Sequence, residues 1–168
     1  MDFISGWELH GLHCYQFFNV RHSWQKASEL CKRYGSDLAT VDSFAQNNFT
    51  SQLAQRFLSG TDGARYWLGL RSHNDLQTNT LQTDAGDQIP LYHGHWAVSE
   101  PDTSHGECVE ARLIEAEDGS VRQEWSLFNC DSLSPFMCRL AACPSGTFHC
   151  SNGKCISRQH VCDGKSFL

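Results

Sequence analysis

What most constrains this chain is its cysteines, nine in 168 residues and unevenly spread. Five of them, Cys14, Cys31, Cys108, Cys130 and Cys138, are scattered over residues 1–142, while Cys143, Cys150, Cys155 and Cys162 crowd the last 26. Thiols at this density are usually paired in an oxidising compartment, so the sequence reads as extracellular. The competing use is thiolate ligation of zinc. Such sites favour Cys-x-x-Cys spacings, and the sequence contains none.

The change in cysteine spacing near Ala141-Ala142 predicts two units, residues 1–142 and 143–168. Beyond Phe148, Ile156 and Val161 the second has few large apolar side chains, so covalent staples or a metal must supply what burial cannot. Met1 to Gly6 lacks the basic-then-apolar stretch of a signal peptide, and the chain stops shortly after Cys162-Asp163-Gly164. Both ends therefore read as cuts in a longer protein. No run approaches the ~18 apolar residues of a membrane span, so membrane association is expected only through parts of the parent chain not present here. A net charge of −6, from 13 basic against 19 acidic residues, gives no footprint for a phosphate backbone, and nucleic acid is excluded as the expected partner.

Periodicity gives the elements of the larger unit. Trp24, Ala27, Cys31 and Tyr34 recur at helical spacing between a Ser23 N-cap and a Gly35 stop, which predicts a helix over 23–34. Ser43 with Gln46 forms a capping box for a second helix, whose apolar stripe of Phe49, Leu53 and Phe57 runs to Gly60. Short apolar or alternating runs follow at 65–70, 108–114, 124–128 and 136–140, and His13 to Phe18 opens the unit with another; all read as strands. The fold class is α+β. The polar stretch Arg71–Ser104 is long for a compact domain and is the expected binding loop.

Read together, Gly6-Trp7, Cys14-Tyr15-Gln16-Phe17, Trp24, Gly35 to Val41, Tyr66-Trp67-Leu68-Gly69-Leu70, Trp96, Glu100-Pro101-Asp102, Cys108-Val109, Trp125, Cys130 and Phe136-Met137-Cys138 resemble a C-type lectin-like domain across residues 6–140. The resemblance implies two helices, short antiparallel sheets and a long binding loop, with disulfides Cys31–Cys138 and Cys108–Cys130. Long-form members pair the cysteine at Cys14 with one about where Phe3 stands, which leaves Cys14 without that partner. The tail is similar to the front two thirds of an LDL-receptor class A module. The family's pairing pattern closes Cys143–Cys155 and leaves Cys150 and Cys162 unpartnered. Of that family's acidic calcium cluster only Asp163 remains, so the tail is expected to be metal-free and poorly ordered.

Sugar-binding members of the lectin family hold calcium between an acidic X-Pro-X loop with a cis proline, a nearby Glu and a Trp-Asn-Asp strand. By resemblance, the candidate ligand- and calcium-binding residues are Glu100, Pro101, Asp102, Glu107 and Ser126, with Glu100 and Asp102 as the candidate metal ligands. Ser126 and Leu127 stand where the family has Asn and Asp. A hard cation takes about six to eight oxygens, so losing two side-chain ligands predicts weak, barely calcium-dependent sugar binding. His93 and His95 have metal-like spacing but no acidic neighbour beside them, and read as solvated loop residues. Asn48-Phe49-Thr50 is an N-glycosylation candidate at Asn48. The tryptophans fall at core positions. No nucleophile elbow, phosphate loop or zinc-protease motif occurs. The expected function is a non-enzymatic extracellular recognition module for a glycan or an extracellular protein; the alternative is a structural spacer.

Overall fold

A computed structural model describes residues 6–58, 63–72, 79–143, 147–149 and 155–157, with the backbone alone for His93 and the last two segments. Helix α1 spans Trp24–Arg33 and α2 spans Phe44–Phe57. Each begins where a serine side chain takes an otherwise orphaned amide: Ser23 accepts from Lys26 N at 3.4 Å and Ser43 from Gln46 N at 3.2 Å. The Gln46 side chain reaches back to the Asp42 amide at 3.1 Å, one residue before the cap itself. α1 ends with Lys32 and Arg33 in its last turn, where cations suit the carbonyl end, and Gly35 supplies the left-handed φ of 67° that turns the chain away. α2 ends at Phe57, short of the predicted stop at Gly60, which lies outside the described residues.

The buried face of α2 also differs from the predicted stripe. Leu53 and Ala54 are buried, but Phe57 is half exposed and Asn47, Thr50 and Ser51 are buried instead. A polar partner explains the shift. Gln123 donates to Asn47 Oδ1 at 2.7 Å and to Thr50 Oγ1 at 3.0 Å, and accepts from the Tyr66 hydroxyl. Buried polar groups are tolerated when they satisfy one another.

The strands are β1 Glu8–His10, β2 His13–His22, β3 Asp37–Leu38, β4 Arg65–Ser72, β5 Thr80–Thr83, β6 Gln88–Pro90, β7 Cys108–Glu115, β8 Val121–Phe128 and β9 Ser134–Ala141. They form one sheet in the order β1-β2-β9-β4-β5-β6, with β3 on β9, and β7 joining β4 to β8. β2 and β9, the opening and closing strands, pair antiparallel from His13↔Ala141 to His22↔Ser134, which brings the two ends of the domain together. β4 meets β9 in parallel only at Trp67↔Phe136. It pairs antiparallel with β7, whose hairpin partner β8 runs in register from Cys108↔Phe128 to Glu115↔Val121.

Because side chains alternate along a strand, the central strands β4 and β9 are buried on both faces. Tyr66, Leu68 and Leu70 join Tyr15, Leu53, Val109, Trp125, Leu127 and Met137 in one core beneath α2. Trp67 points the other way, into a second core with Trp24, Cys31, Leu38, Phe136 and Cys138 beneath α1. Between Leu68 and Leu70 the strand passes so close to β3 that a Cβ on Gly69 would strike the Leu38 carbonyl. Only glycine fits there.

Disulfides link Cys31 to Cys138 across 107 residues and Cys108 to Cys130 across 22. Cys14 is a buried free thiol, and burial raises its pKa. The position of its family partner, Phe3, lies outside the described residues. Cys143 is disulfide-bonded. The side chain of its expected partner Cys155 is outside the described residues, as are Cys150, Cys162 and Asp163 and with them the expected looseness of the tail. What is described there is a hairpin of β10, Thr147–His149, and β11, Cys155–Ser157.

The expectation for Arg71–Ser104 needs correcting. The segment is not one irregular loop: β5 and β6 form a hairpin within it, and a 3-10 turn follows at Leu91–His93. Sequence alternation is short there and the residues polar, so period-2 reading passes over it. The hairpin is fastened from its turn: the Asp84 carboxylate, almost wholly buried, accepts from Ser28 Oγ at 2.6 Å, Leu38 N at 2.8 Å and Lys32 Nζ at 3.1 Å.

Candidate functional site

The second half of the long segment is laid against the outer edge of β8. Trp125 N donates to His95 O at 2.7 Å, and Ala97 N to Trp125 O at 2.9 Å. Trp96 packs edge-on against Trp125 with centroids 5.8 Å apart, and its indole nitrogen donates to Leu91 O at 3.0 Å. From this fixed point the chain makes a tight turn in which Glu100 N returns to Ala97 O at 3.0 Å and Ser99 takes a left-handed φ of 68°. Val98 is thereby pushed to the outside, 95% exposed. The Glu100–Pro101 bond that follows is cis.

Glu100 is the centre of what comes next. Its Oε2 accepts from the Asp102 amide at 2.9 Å and from the Leu127 amide at 3.0 Å. The side chain is only 11% exposed, and a carboxylate so placed needs charge-assisted donors of this kind. Asp102 caps a 3-10 turn, Thr103–His105, by accepting from Ser104 N at 2.9 Å. Hydrogen bonds from the Ser104 hydroxyl and amide, aided by His105, hold the Asp102 carboxyl below its ordinary pKa. The His105 imidazole lies between the two acids, Nδ1 3.7 Å from Glu100 Oε1 and 3.9 Å from Asp102 Oδ2. In its protonated form it supplies the positive charge for that pair of carboxylates. Nothing in the sequence pattern singled out His105; its proximity follows from the turn that Asp102 caps.

Gly106 then lets the chain pass under β8: at φ 142°, a Cβ there would collide with the Phe128 carbonyl. Glu107 comes next, with its carbonyl accepting from Ser72 N at 2.7 Å and its side chain exposed. Among the described residues its carboxylate makes no hydrogen bond or ion pair to the Glu100 turn. Ser126 is half-buried on β8 opposite Glu110, and alternation sends its side chain to the opposite face from that of Leu127. Leu127 is fully buried in the core beneath α2. Thus the structure brings Glu100, Pro101 and Asp102 together, adds His105, and leaves Glu107 and Ser126 outside their hydrogen bonds.

Histidine expectations change as well. His95 is not a solvated loop residue: its ring packs on Trp125 at 5.6 Å and against Phe44 at 6.3 Å, and burial lowers its pKa. The His93 side chain lies outside the described residues. Trp7, Trp24, Trp67 and Trp125 are buried and Trp96 is partly so, all packed in the two cores.

The residues at the turn do not suit a resident calcium ion. Among the described residues no three His, Cys, Asp or Glu side chains converge as a metal-holding group. Glu100 already spends one oxygen on two amides, and the residue contributing the second of those amides puts a hydrocarbon side chain into the core. Among the described residues at this turn, a hard cation seeking about six to eight oxygens finds too few.

Comparison with known proteins agrees with this architecture. The family model described as Lectin C-type domain matches residues 20–140, and that for low-density lipoprotein receptor domain class A matches residues 141–166. Snaclec A6 of Macrovipera lebetinus is 25% identical over 142 residues, covering 83% of this chain and 84% of its own. A crystal structure of human lithostathine superposes with a TM-score of 0.67 at 23% identity, over 84% of this chain and 92% of that one. The C-type lectin domain of murine dendritic cell inhibitory receptor 2, solved in complex with an N-glycan, gives a TM-score of 0.65 at 19% identity over 84% of this chain and 100% of that one.

Proposed function

This chain belongs to the C-type lectin domain family, and from that premise we propose that it is a non-enzymatic extracellular recognition module whose binding surface works without resident calcium at the Glu100-Pro101-Asp102 turn. The observation that carries this reading is the use made of Glu100: its carboxylate is turned onto the amides of Asp102 and Leu127, a fastening for the loop where the family has a ligand. A glycan or a protein surface is then met by the loop's own side chains. The exposure of Tyr92 at 81% and Val98 at 95%, on the same segment, favours a protein surface, since apolar groups raised singly above a polar loop suit a desolvated interface. We place the boundary of this module at residue 142, with the class A module from Cys143 onward.

The test is binding in the presence and absence of chelator. The purified chain, presented to immobilised mannose and galactose and to a panel of extracellular proteins, is expected to show no retention that EDTA reverses. Any protein partner found should be retained equally in EDTA and lost with Val98→Asp. Strong retention on a sugar resin that EDTA elutes would overturn the calcium-independent reading and return Glu107 to the ligand set. The stability role of Glu100 is tested alongside: Glu100→Ala leaves two amides without their acceptor and should cost about 2 kcal/mol in urea unfolding.

A further inference from the structure

Asn48-Phe49-Thr50 asks two incompatible things of one threonine. For a transferase to glycosylate Asn48, the asparagine amide and the hydroxyl two residues on must be read together from an accessible segment. In α2 the two residues are turned apart by roughly 200°, since a helix advances about 100° per residue. Asn48 is exposed, whereas Thr50 is fully buried. The Thr50 hydroxyl donates to the carbonyls of Gln46 at 2.9 Å and Asn47 at 3.2 Å, and accepts from Gln123 Nε2 at 3.0 Å. Phe49, between them, is stacked on the His10 ring at 4.4 Å. The folded domain therefore hides one half of the acceptor and presents the other.

We infer that Asn48 is an N-glycosylation site used only before the domain closes: its Nδ2 forms a bond to the anomeric carbon of a lipid-linked oligosaccharide, the sugar–pyrophosphate bond breaks, the lipid pyrophosphate leaves and the amide gives up one proton, and the Thr50 hydroxyl then passes from the transferase to the buried Gln123 network. The order of the chain allows it. Gln123 lies 73 residues after Thr50, so at ordinary synthesis rates the acceptor precedes its protecting partner by roughly 4–15 s. The finished fold accommodates the product: among the described residues the Asn48 side chain engages only through Oδ1, which accepts from Gln52 Nε2 at 3.5 Å, and its Nδ2 donates to none of them on an exposed helix face. A glycan there stands one helical turn from Phe44, itself 78% exposed, and so borders the loop at His95.

The inference depends on the extracellular reading only for the route of synthesis, and its test has two arms that separate the two. In the first, the full chain is produced behind a secretory leader. A single mass step removed by peptide N-glycosidase and absent from Asn48→Gln is expected, and secretion without that step would overturn the proposal. In the second, unglycosylated chain refolded with its disulfides is offered to purified oligosaccharyltransferase with lipid-linked oligosaccharide. The native chain should be modified at least about tenfold more slowly than the reduced, unfolded chain, because few folded molecules are open at any moment. Equal rates would show that α2 does not protect Thr50 and would sink the ordering. Failure of calcium-independent recognition would touch neither arm.

Discussion

On one face of the central sheet α1 is tied down by a disulfide, in a core that holds a second one, and on the other α2 is tied down by hydrogen bonds. Beneath α1, Cys31 is bonded to Cys138 of β9, and Cys108 of the same core to Cys130. Beneath α2 the core holds no cysteine; the helix is fixed instead by the Tyr66–Gln123–Asn47–Thr50 network set among aliphatic and aromatic side chains. The difference matters for the loop. The cysteine-bearing side carries Asp84, which fastens the first half of the long segment to α1 and β3. The other side carries Leu127 and Trp125, to which the second half and Glu100 are fastened. Each core thus supports one end of the recognition surface, one by restricting the unfolded chain, the other by satisfying buried polar groups in the folded one.

The sharpest way to break the comparison is to remove the staples. Opening the 107-residue link with Cys31→Ala/Cys138→Ala should cost about 5 kcal/mol, and the 22-residue link with Cys108→Ala/Cys130→Ala about 3 kcal/mol, on loop entropy. Guanidinium unfolding midpoints of the oxidised variants measure both; equal losses would mean that the longer closure carries no special weight.

Next in size is the polar side. Gln123→Leu leaves the Tyr66 hydroxyl, Asn47 and Thr50 without their common partner and is expected to cost about 3 kcal/mol. Adding Tyr66→Phe should recover part of the loss, because an absent hydroxyl has nothing left to satisfy, and a double-mutant cycle in urea would read that coupling. Strictly additive losses would dissolve the network into separate contacts.

The smallest effect is in pH, and its sign differs between the faces. Burial lowers the pKa of His95, packed on Trp125. The unfolded chain then binds more protons, so stability should fall as pH drops below about 6.5 toward the folded value, and His95→Asn should flatten that slope. On the α1 side, burial first and the neighbouring Asp84 second raise the Asp37 carboxyl. Its charge is a liability at neutral pH that acid relieves, so Asp37→Asn should raise the unfolding midpoint at pH 7 and lose its advantage as pH falls through the folded pKa toward the ordinary carboxylate value. Parallel pH slopes in the two variants would contradict the assignment.

Legibility in the sequence followed the range of the interaction. Ser23, Ser43 and Gly35 declared the helix ends because caps and left-handed turns act within a few residues. The strand runs of β4 and β9 declared themselves because both faces are buried along most of their length, and that of β8 because buried and partly exposed residues alternate along it. The Phe57 end of the α2 stripe is not legible in the sequence, since the choice of Asn47 and Thr50 over Phe57 as inward residues depends on Gln123, 73 residues beyond Thr50.

The same division holds at the recognition surface. The order of residues along the chain carries the resemblance to the lectin family, and that resemblance implies the X-Pro-X turn at Glu100, Pro101 and Asp102 and puts a hydroxyl at Ser126 and a hydrocarbon at Leu127 where the family has ligands. Only tertiary structure decided what Glu100 does: β8 must lie beside the turn before the Leu127 amide can claim its carboxylate, and the 3-10 turn must close before His105 comes between the two acids. Asp84 is the same case, an ordinary loop acid in sequence that becomes an anchor once α1 and β3 place three donors around it. A side chain's type limits the partners it can accept; which partner it meets is fixed by packing, because hydrogen bonds and ion pairs of this strength operate over about 3 Å, a distance no sequence separation encodes.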